Sequence, residues 1–159
     1  MKILVFSDSH GNTSFMEQAV EAEAPDQILH LGDVLRDARA LAERFPHIPM
    51  TCVPGNCDGL GGSEPAERVV ELEGKRILMM HGHTRGVKAG IGGAVWAGRE
   101  AEADVVLFGH THEPLCDRVG PMWVVNPGSV RGYYLTTYAV INLAGDELEC
   151  HIVRMDKQP

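Results

Sequence analysis

The sequence predicts an α/β protein, and three observations carry the prediction. Apolar runs of strand length at 2–7, 27–31 and 49–53 alternate with amphipathic helical patterns in the first half. Strands separated by helices imply a parallel sheet. The second half holds further strand-like runs with little helix between them, and reads as β-rich and antiparallel. At 159 residues and 44% hydrophobic content, the chain is long enough for a single domain, 1–159, with its own core.

The elements follow in order. After the first strand, Ser14-x-x-Glu17 has the pattern of a capping box, and Phe15, Met16, Ala19 and Val20 form an apolar helical face to about Ala24. Pro25 stops that helix, and strand 27–31 follows. Ala38, Leu41, Ala42 and Phe45 keep the i, i+3, i+4, i+7 spacing of a second helix, which Pro46 stops. Strand 49–53 closes the first half. Runs 69–73 and 76–80 flank Gly74 and read as a hairpin. The stretch 87–102 is expected to be a helix, with Gly90, Gly92, Gly93 and Gly98 weighing against it. A buried strand is expected at 105–108. Strands are also expected at 123–126, 133–143 and 147–154, the last two joined by a turn at Ala144-Gly145-Asp146.

Composition excludes some functions. A formal charge of -8 argues against nonspecific binding to double-stranded DNA or to an anionic membrane surface, both of which reward positive charge. A small phosphate substrate stays compatible, because bound cations make a site locally positive. The first apolar run is too short for a signal-peptide core or a membrane span, so a cytoplasmic location is expected. Cys52, Cys57, Cys116 and Cys150 show no Cys-x-x-Cys spacing and are expected to be free thiols. A homodimer is compatible with the chain.

The chemistry-bearing residues sit where apolar runs meet turns. The run 105–108 delivers His110 and His112, and residues two apart on an extended chain point the same way. Alone, such a pair is weak evidence. Four more strand ends carry similar groups: Asp8-Ser9-His10-Gly11-Asn12, Gly32-Asp33, Gly55-Asn56-Cys57-Asp58 and His81-Gly82-His83. In open α/β sheets, ligands bind outside the carboxyl ends of the strands. Taken singly, Asp8 and Asp33 read as helix N-caps, Asn56 as a turn residue and His81 as a chance strand end. His30, inside an apolar strand, reads as a satisfied core histidine, and His47 and His151 as surface residues.

Together these motifs resemble the calcineurin-like metallophosphoesterases, in the family's order: Asp8-Ser9-His10, Gly32-Asp33, Gly55-Asn56, His81-Gly82 and Gly109-His110-Thr111-His112. Asn126-Pro127-Gly128-Ser129 extends the resemblance to the family's short bacterial and archaeal phosphodiesterases. The resemblance implies a four-layer α/β/β/α sandwich of two mixed sheets. It implies two divalent metal ions, Mn²⁺ first, with Ni, Co, Fe and Zn as alternatives. Asp8, His10 and His112 would hold one ion and Asn56, His81 and His110 the other, with Asp33 bridging. Imidazole and carboxylate donors suit such ions, and a ligand set without thiolate is unlike a structural zinc site. The implied reaction is hydrolysis of a small phosphodiester by attack of a dimetal-bound hydroxide on phosphorus. Asp33, Asn56, His81 and His83 are the candidate catalytic residues. Asn12, Cys57, His83 and Arg131 are the candidate substrate contacts.

One position departs from the wider family. Where many members carry a histidine after the asparagine, a residue thought to protonate the leaving group or steady the transition state, this chain has Cys57. The alternatives to a phosphodiesterase are a phosphomonoesterase of small metabolites and a non-catalytic scaffold resembling a retromer subunit. A complete set of Asp, Asn and His at the seven matched positions favours the enzyme.

Overall fold

The structure, a computed structural model, describes residues 1–58, 65–131 and 135–155. Its element order is β1 (Lys2–Phe6), α1 (Ser14–Glu23), β2 (Gln27–His30), α2 (Leu35–Arg44), β3 (Met50–Cys52), β4 (Glu67–Leu72) and β5 (Lys75–Met80). Then come α3 (Gly92–Glu100), β6 (Val105–Leu107), β7 (Leu115–Val119), β8 (Met122–Asn126), β9 (Thr136–Ala144) and β10 (Glu147–Met155). One five-stranded sheet has the order β10-β9-β1-β2-β3 and the other β4-β5-β6-β8-β7.

Period-two burial builds the layers. Along β1, Ile3 and Val5 join the cluster between the two sheets, with Leu29 of β2 and with Ile77, Met79, Val105 and Leu107 of the second sheet. Leu4 and Phe6 point the other way, onto Met16, Ala19 and Val20 of α1 and Leu41 of α2. In the second sheet, Leu78, Met80, Val106 and Val124 turn outward onto Ala94, Val95 and Ala97 of α3. Three apolar interfaces therefore separate four layers, α/β/β/α, as the family resemblance implied. Strands buried on both faces read as continuous apolar runs, which is why β1, β2 and β6 stood out in the sequence.

Several expectations are corrected. The second sheet is mixed rather than antiparallel: β5, β6 and β8 run parallel, with β4 and β7 antiparallel at the edges. β9 and β10 do not stay with their sequence neighbours but return to the first sheet, where β9 pairs antiparallel with β1. The helix expected over 87–102 forms only over Gly92–Glu100, because Gly86 and Gly90 take left-handed φ angles of 64° and 155° before it. β7 was not foreseen, since Pro114 and the charges of Asp117 and Arg118 break its apolar pattern. The capping box does not form. Thr13 holds the N-cap position without a side-chain bond, and Asn12 Oδ1 instead accepts from the Ser14 amide at 3.1 Å. The expected strand over 133–143 begins at Thr136, and residues 133 and 134 lie outside the described residues. The four cysteines are free thiols.

Candidate metal centre

The carboxyl ends of β1, β2, β3, β5 and β6 open toward one side of the molecule, and the turns that follow them carry the seven expected ligands. Backbone geometry there is unusual. Asp8, His10, Asp33, His110 and His112 all have positive φ, between 45° and 70°. A left-handed conformation costs an L-residue roughly 1–2 kcal/mol, so five such residues at one site must be held by their surroundings. The Asp33–Val34 peptide is cis. Two glycines permit the approach of the turns. A Cβ at Gly55 would overlap Asp33 Oδ1, and a Cβ at Gly109 would overlap Ser7 Oγ.

Asp8 Oδ1 is the focus. It lies 3.2 Å from His112 Nε2, 3.6 Å from His10 Nε2 and 3.7 Å from His81 Nε2. It is buried and has no hydrogen-bond partner, whereas Oδ2 accepts from Ser7 Oγ and from the His110 amide. Asp33 Oδ2 lies 3.5 Å from His81 Nε2 and 3.8 Å from His10 Nε2, and Oδ1 accepts from the Cys57 amide at 2.8 Å. His110 Nδ1 stands 3.2 Å from His81 Nε2. Six of the seven expected ligands are thus brought together. Asn56 occupies the turn beside them, exposed, with its amide nitrogen 3.7 Å from Cys57 Sγ.

These residues fit a cation. His81 Nδ1 is 2.9 Å from the Leu31 carbonyl, which can only accept, so that nitrogen carries the proton. Nε2 points the other way, toward one oxygen each of Asp8 and Asp33 and toward His110 Nδ1. Lone pairs and anionic oxygens repel unless a positive ion lies among them. The backbone carbonyl fixing the far side of the ring is the usual orientation device for a metal-bound histidine. Burial works to raise the Asp8 carboxyl, but the His10, His112, His81 and Ser7 contacts outweigh it and hold the group well below the usual carboxylate range. His10 is raised by its contact with Asp8 against the effect of burial. Burial, then the neighbouring His81, pulls His110 and His83 down, which favours the neutral donor form.

The remaining candidates surround this core. The His83 ring centroid is 5.5 Å from that of His81 and 6.2 Å from that of His110. Asn12 Nδ2 donates to the Arg131 carbonyl at 2.8 Å, tying the β1 turn to the segment after Ser129. Cys57 Sγ lies within 4.8 Å of a His10 ring nitrogen and an Asp33 carboxylate oxygen. Burial first, then Asp33, pushes its thiol up, so it keeps its proton at neutral pH.

The supporting residues were not all foreseen. Asp58 accepts from the amides of Asp33, Gly55 and Leu35 at 2.7–2.9 Å, locking the β2 and β3 turns together. Asp37, buried in the first turn of α2, accepts from Ser9 Oγ and the Gly11 amide, both at 2.7 Å. His30 Nδ1 accepts from the Gly32 amide at 3.0 Å, which leaves Nε2 to donate to Ser9 Oγ at 3.2 Å. His30 is the satisfied core histidine expected, and burial lowers it to about 4. Asn126 Nδ2 donates to the Gly109 carbonyl and to Thr111 Oγ1, and Ser129 Oγ donates to the Asp8 carbonyl. The available signal for Asp37 was an acidic residue beside Ala38 on the apolar face of its helix.

Known proteins similar to this chain point to one family. The sequence model of the calcineurin-like phosphoesterase superfamily domain matches residues 1–146. The chain is 35% identical over 163 residues to a probable metallophosphoesterase of Methanothermobacter thermautotrophicus, covering 97% of this chain and 92% of the relative. It is 30% identical over 154 residues to the phosphodiesterase YfcE of Escherichia coli K12, covering 82% and 79%. Among solved structures, it is similar to a predicted phosphoesterase from Streptococcus pneumoniae TIGR4, with a TM-score of 0.80 and 28% identity over 96% of this chain and 88% of that one.

Proposed function

This chain belongs to the calcineurin-like phosphoesterase superfamily, and on that premise we propose that it is a phosphodiesterase dependent on two divalent metal ions. The observation that carries this reading is the bare Asp8 Oδ1, buried and faced by three imidazole nitrogens at 3.2–3.7 Å. A polar oxygen left so costs about 1–3 kcal/mol, a loss that a bound cation removes. In this reading Asp8, His10 and His112 hold one ion, Asn56, His81 and His110 the other, and Asp33 serves both. Mn²⁺ is the first choice, with Ni, Co, Fe and Zn as alternatives. When bound, the ions would supply Lewis acidity toward phosphate oxygens and acidify a coordinated water.

The chain's own groups do the rest. The Leu31 carbonyl takes the His81 Nδ1 proton and so orients the ring with Nε2 toward the centre. Asp8 stays ionised over the whole working range, because its contacts hold its carboxyl so low. His83, drawn down by burial and then by His81, stands beside His81 and His110 as a neutral hydrogen-bonding group for a bound phosphate ester. Arg131 lies near enough to lower His10 by its charge, and so adds positive potential where an anionic substrate enters. A small substrate accords with the formal charge of -8. No helix among the described residues is long and apolar enough to cross a membrane.

The test is a matrix of metals against substrates on chelator-treated protein. Diester hydrolysis restored by Mn²⁺, with monoesters turned over more slowly, is the expected result. Activity indifferent to chelation, or faster on monoesters under every ion, overturns the reading.

A further inference from the structure

Asp37 is a carboxylate on the inward face of its helix. It is 3% exposed and buried together with Leu35, Ala38 and Leu41 of α2, at a position where an apolar side chain would pack without cost. A buried carboxylate is expensive unless it is hydrogen-bonded, so its partners show what it serves. One oxygen, Oδ2, accepts from Ser9 Oγ and from the Gly11 amide, both at 2.7 Å. Both donors belong to the turn after β1, and they flank His10. Hydrogen bonds to a carboxylate are among the strong ones in proteins.

That turn needs an anchor. Asp8, His10 and Gly11 have φ of 56°, 47° and 89°. For Asp8 and His10 the left-handed conformation is unfavourable by itself. The His10 amide is bound loosely, to the Asp33 carbonyl at 3.4 Å. The residues on either side of it are bound tightly, and to the same oxygen of Asp37. Ser9 carries the tie further. Its Oγ accepts from His30 Nε2 at 3.2 Å, and His30 Nδ1 accepts from the Gly32 amide at 3.0 Å. Gly32 precedes Asp33. One hydrogen-bonded chain, Asp37–Ser9–His30–Gly32, therefore joins α2 to both turns that carry Asp8, His10 and Asp33.

We propose that Asp37 is a positioning residue of the metal centre, acting through Ser9 and Gly11 to hold Asp8 and His10 in the conformation that binds an ion. The inference rests on the two-ion reading above.

Calorimetric titration of metal-free protein with Mn²⁺ tests it without turnover. The parent should bind two ions. Groups that orient metal ligands from behind change affinity about 10–100-fold when removed, so Asp37→Ala should weaken one ion by that factor and leave the other within about threefold. Asp37→Asn, whose amide oxygen can still accept both bonds, should restore most of the loss. Ser9→Ala should weaken the same ion, and the double variant should lose less than the two single losses combined, because the residues act through one another. A second readout uses amide exchange in metal-free protein. Exchange at Gly11 should be about tenfold or more faster in Asp37→Ala, while Leu31, bonded to the Phe6 carbonyl at 2.8 Å, should be unchanged. Two ions bound by Asp37→Ala as tightly as by the parent, equal loss of both ions, an asparagine variant as weak as the alanine one, or unchanged exchange at Gly11 overturns the positioning role. Fewer than two ions in the parent, with the faster Gly11 exchange in Asp37→Ala intact, overturns the two-ion reading and leaves the anchor of the turn standing.

Discussion

Asp33 is the side chain on which both halves of the proposed centre depend, since one of its oxygens faces His10 and His81 and the other is held by the Cys57 amide. Asp33→Asn should lower turnover by orders of magnitude, and elemental analysis of Mn²⁺-reconstituted protein should fall from near two ions per chain to below one. His112→Ala removes a ligand from one site only and should retain more metal. A folded Asp33→Asn protein with parental activity would show that the carboxylate does not bridge. His30 makes a different prediction, about stability. Burial lowers its pKa to about 4 in the folded protein, against an ordinary 6.5, so its contribution is complete above pH 6.5 and is lost as pH falls toward 4. Denaturant titrations of chelator-treated protein at pH 7 and pH 5 should show a loss of about 2 kcal/mol that His30→Asn does not share. Equal losses in both proteins would assign the acid sensitivity elsewhere. Cys57 makes a third. A thiol that keeps its proton is a poor acid for a departing alkoxide, and general acid catalysis is worth on the order of 10²–10⁴-fold. Rates should therefore fall steeply as the leaving group becomes more basic, and Cys57→His should flatten that dependence. A flat dependence in the parent would mean that another group, such as His83, already supplies the proton.

The strand-end turns were the most legible elements of this chain. Asp8, His10, Asp33, His81, His110 and His112 announce themselves as polar residues directly after apolar runs, and the structure gathers them within a few ångströms. What stayed hidden is the bracing. Asp58 looks like one more turn residue until its carboxylate is seen spanning two loops, a fact about tertiary proximity that local pattern does not carry. Asp58→Ala would leave three amides without acceptors in a half-buried place. We expect a loss of about 1–3 kcal/mol in denaturant titrations, with weakened metal retention in the same samples. Unchanged stability would show that water replaces the carboxylate. The second-half elements were harder to read for a related reason. A run such as 105–108 says that a strand is buried, not which neighbour it joins, so the pattern reads as antiparallel where β5, β6 and β8 pair parallel. The helix before β6 was overextended because the left-handed glycines that delay it sit within an otherwise helical composition.

At the scale of the molecule, the centre draws ligands from both sheets: Asp8, His10 and Asp33 from the first, His81, His110 and His112 from the second. Anything bound there joins the two halves of the sandwich. Ligand at 100 times its dissociation constant adds about 2.7 kcal/mol to stability, so chelation should lower the melting temperature by several degrees, and Mn²⁺ should restore it. A melting temperature indifferent to chelator would place the ion outside this junction. The return of β9 to β1 has a consequence for synthesis. Every proposed ligand has left the ribosome once residue 112 is clear of the exit tunnel, yet β1 keeps an unpaired edge until 136–144 emerge. The Asp8 carbonyl likewise waits for Ser129. A nascent chain stalled between these points holds the chemistry without the scaffold that aligns it, and exposes a strand edge ready to pair with a neighbouring polypeptide. Emergence of residues 136–144 therefore decides whether the β1 edge is closed by its own chain or by a neighbouring one.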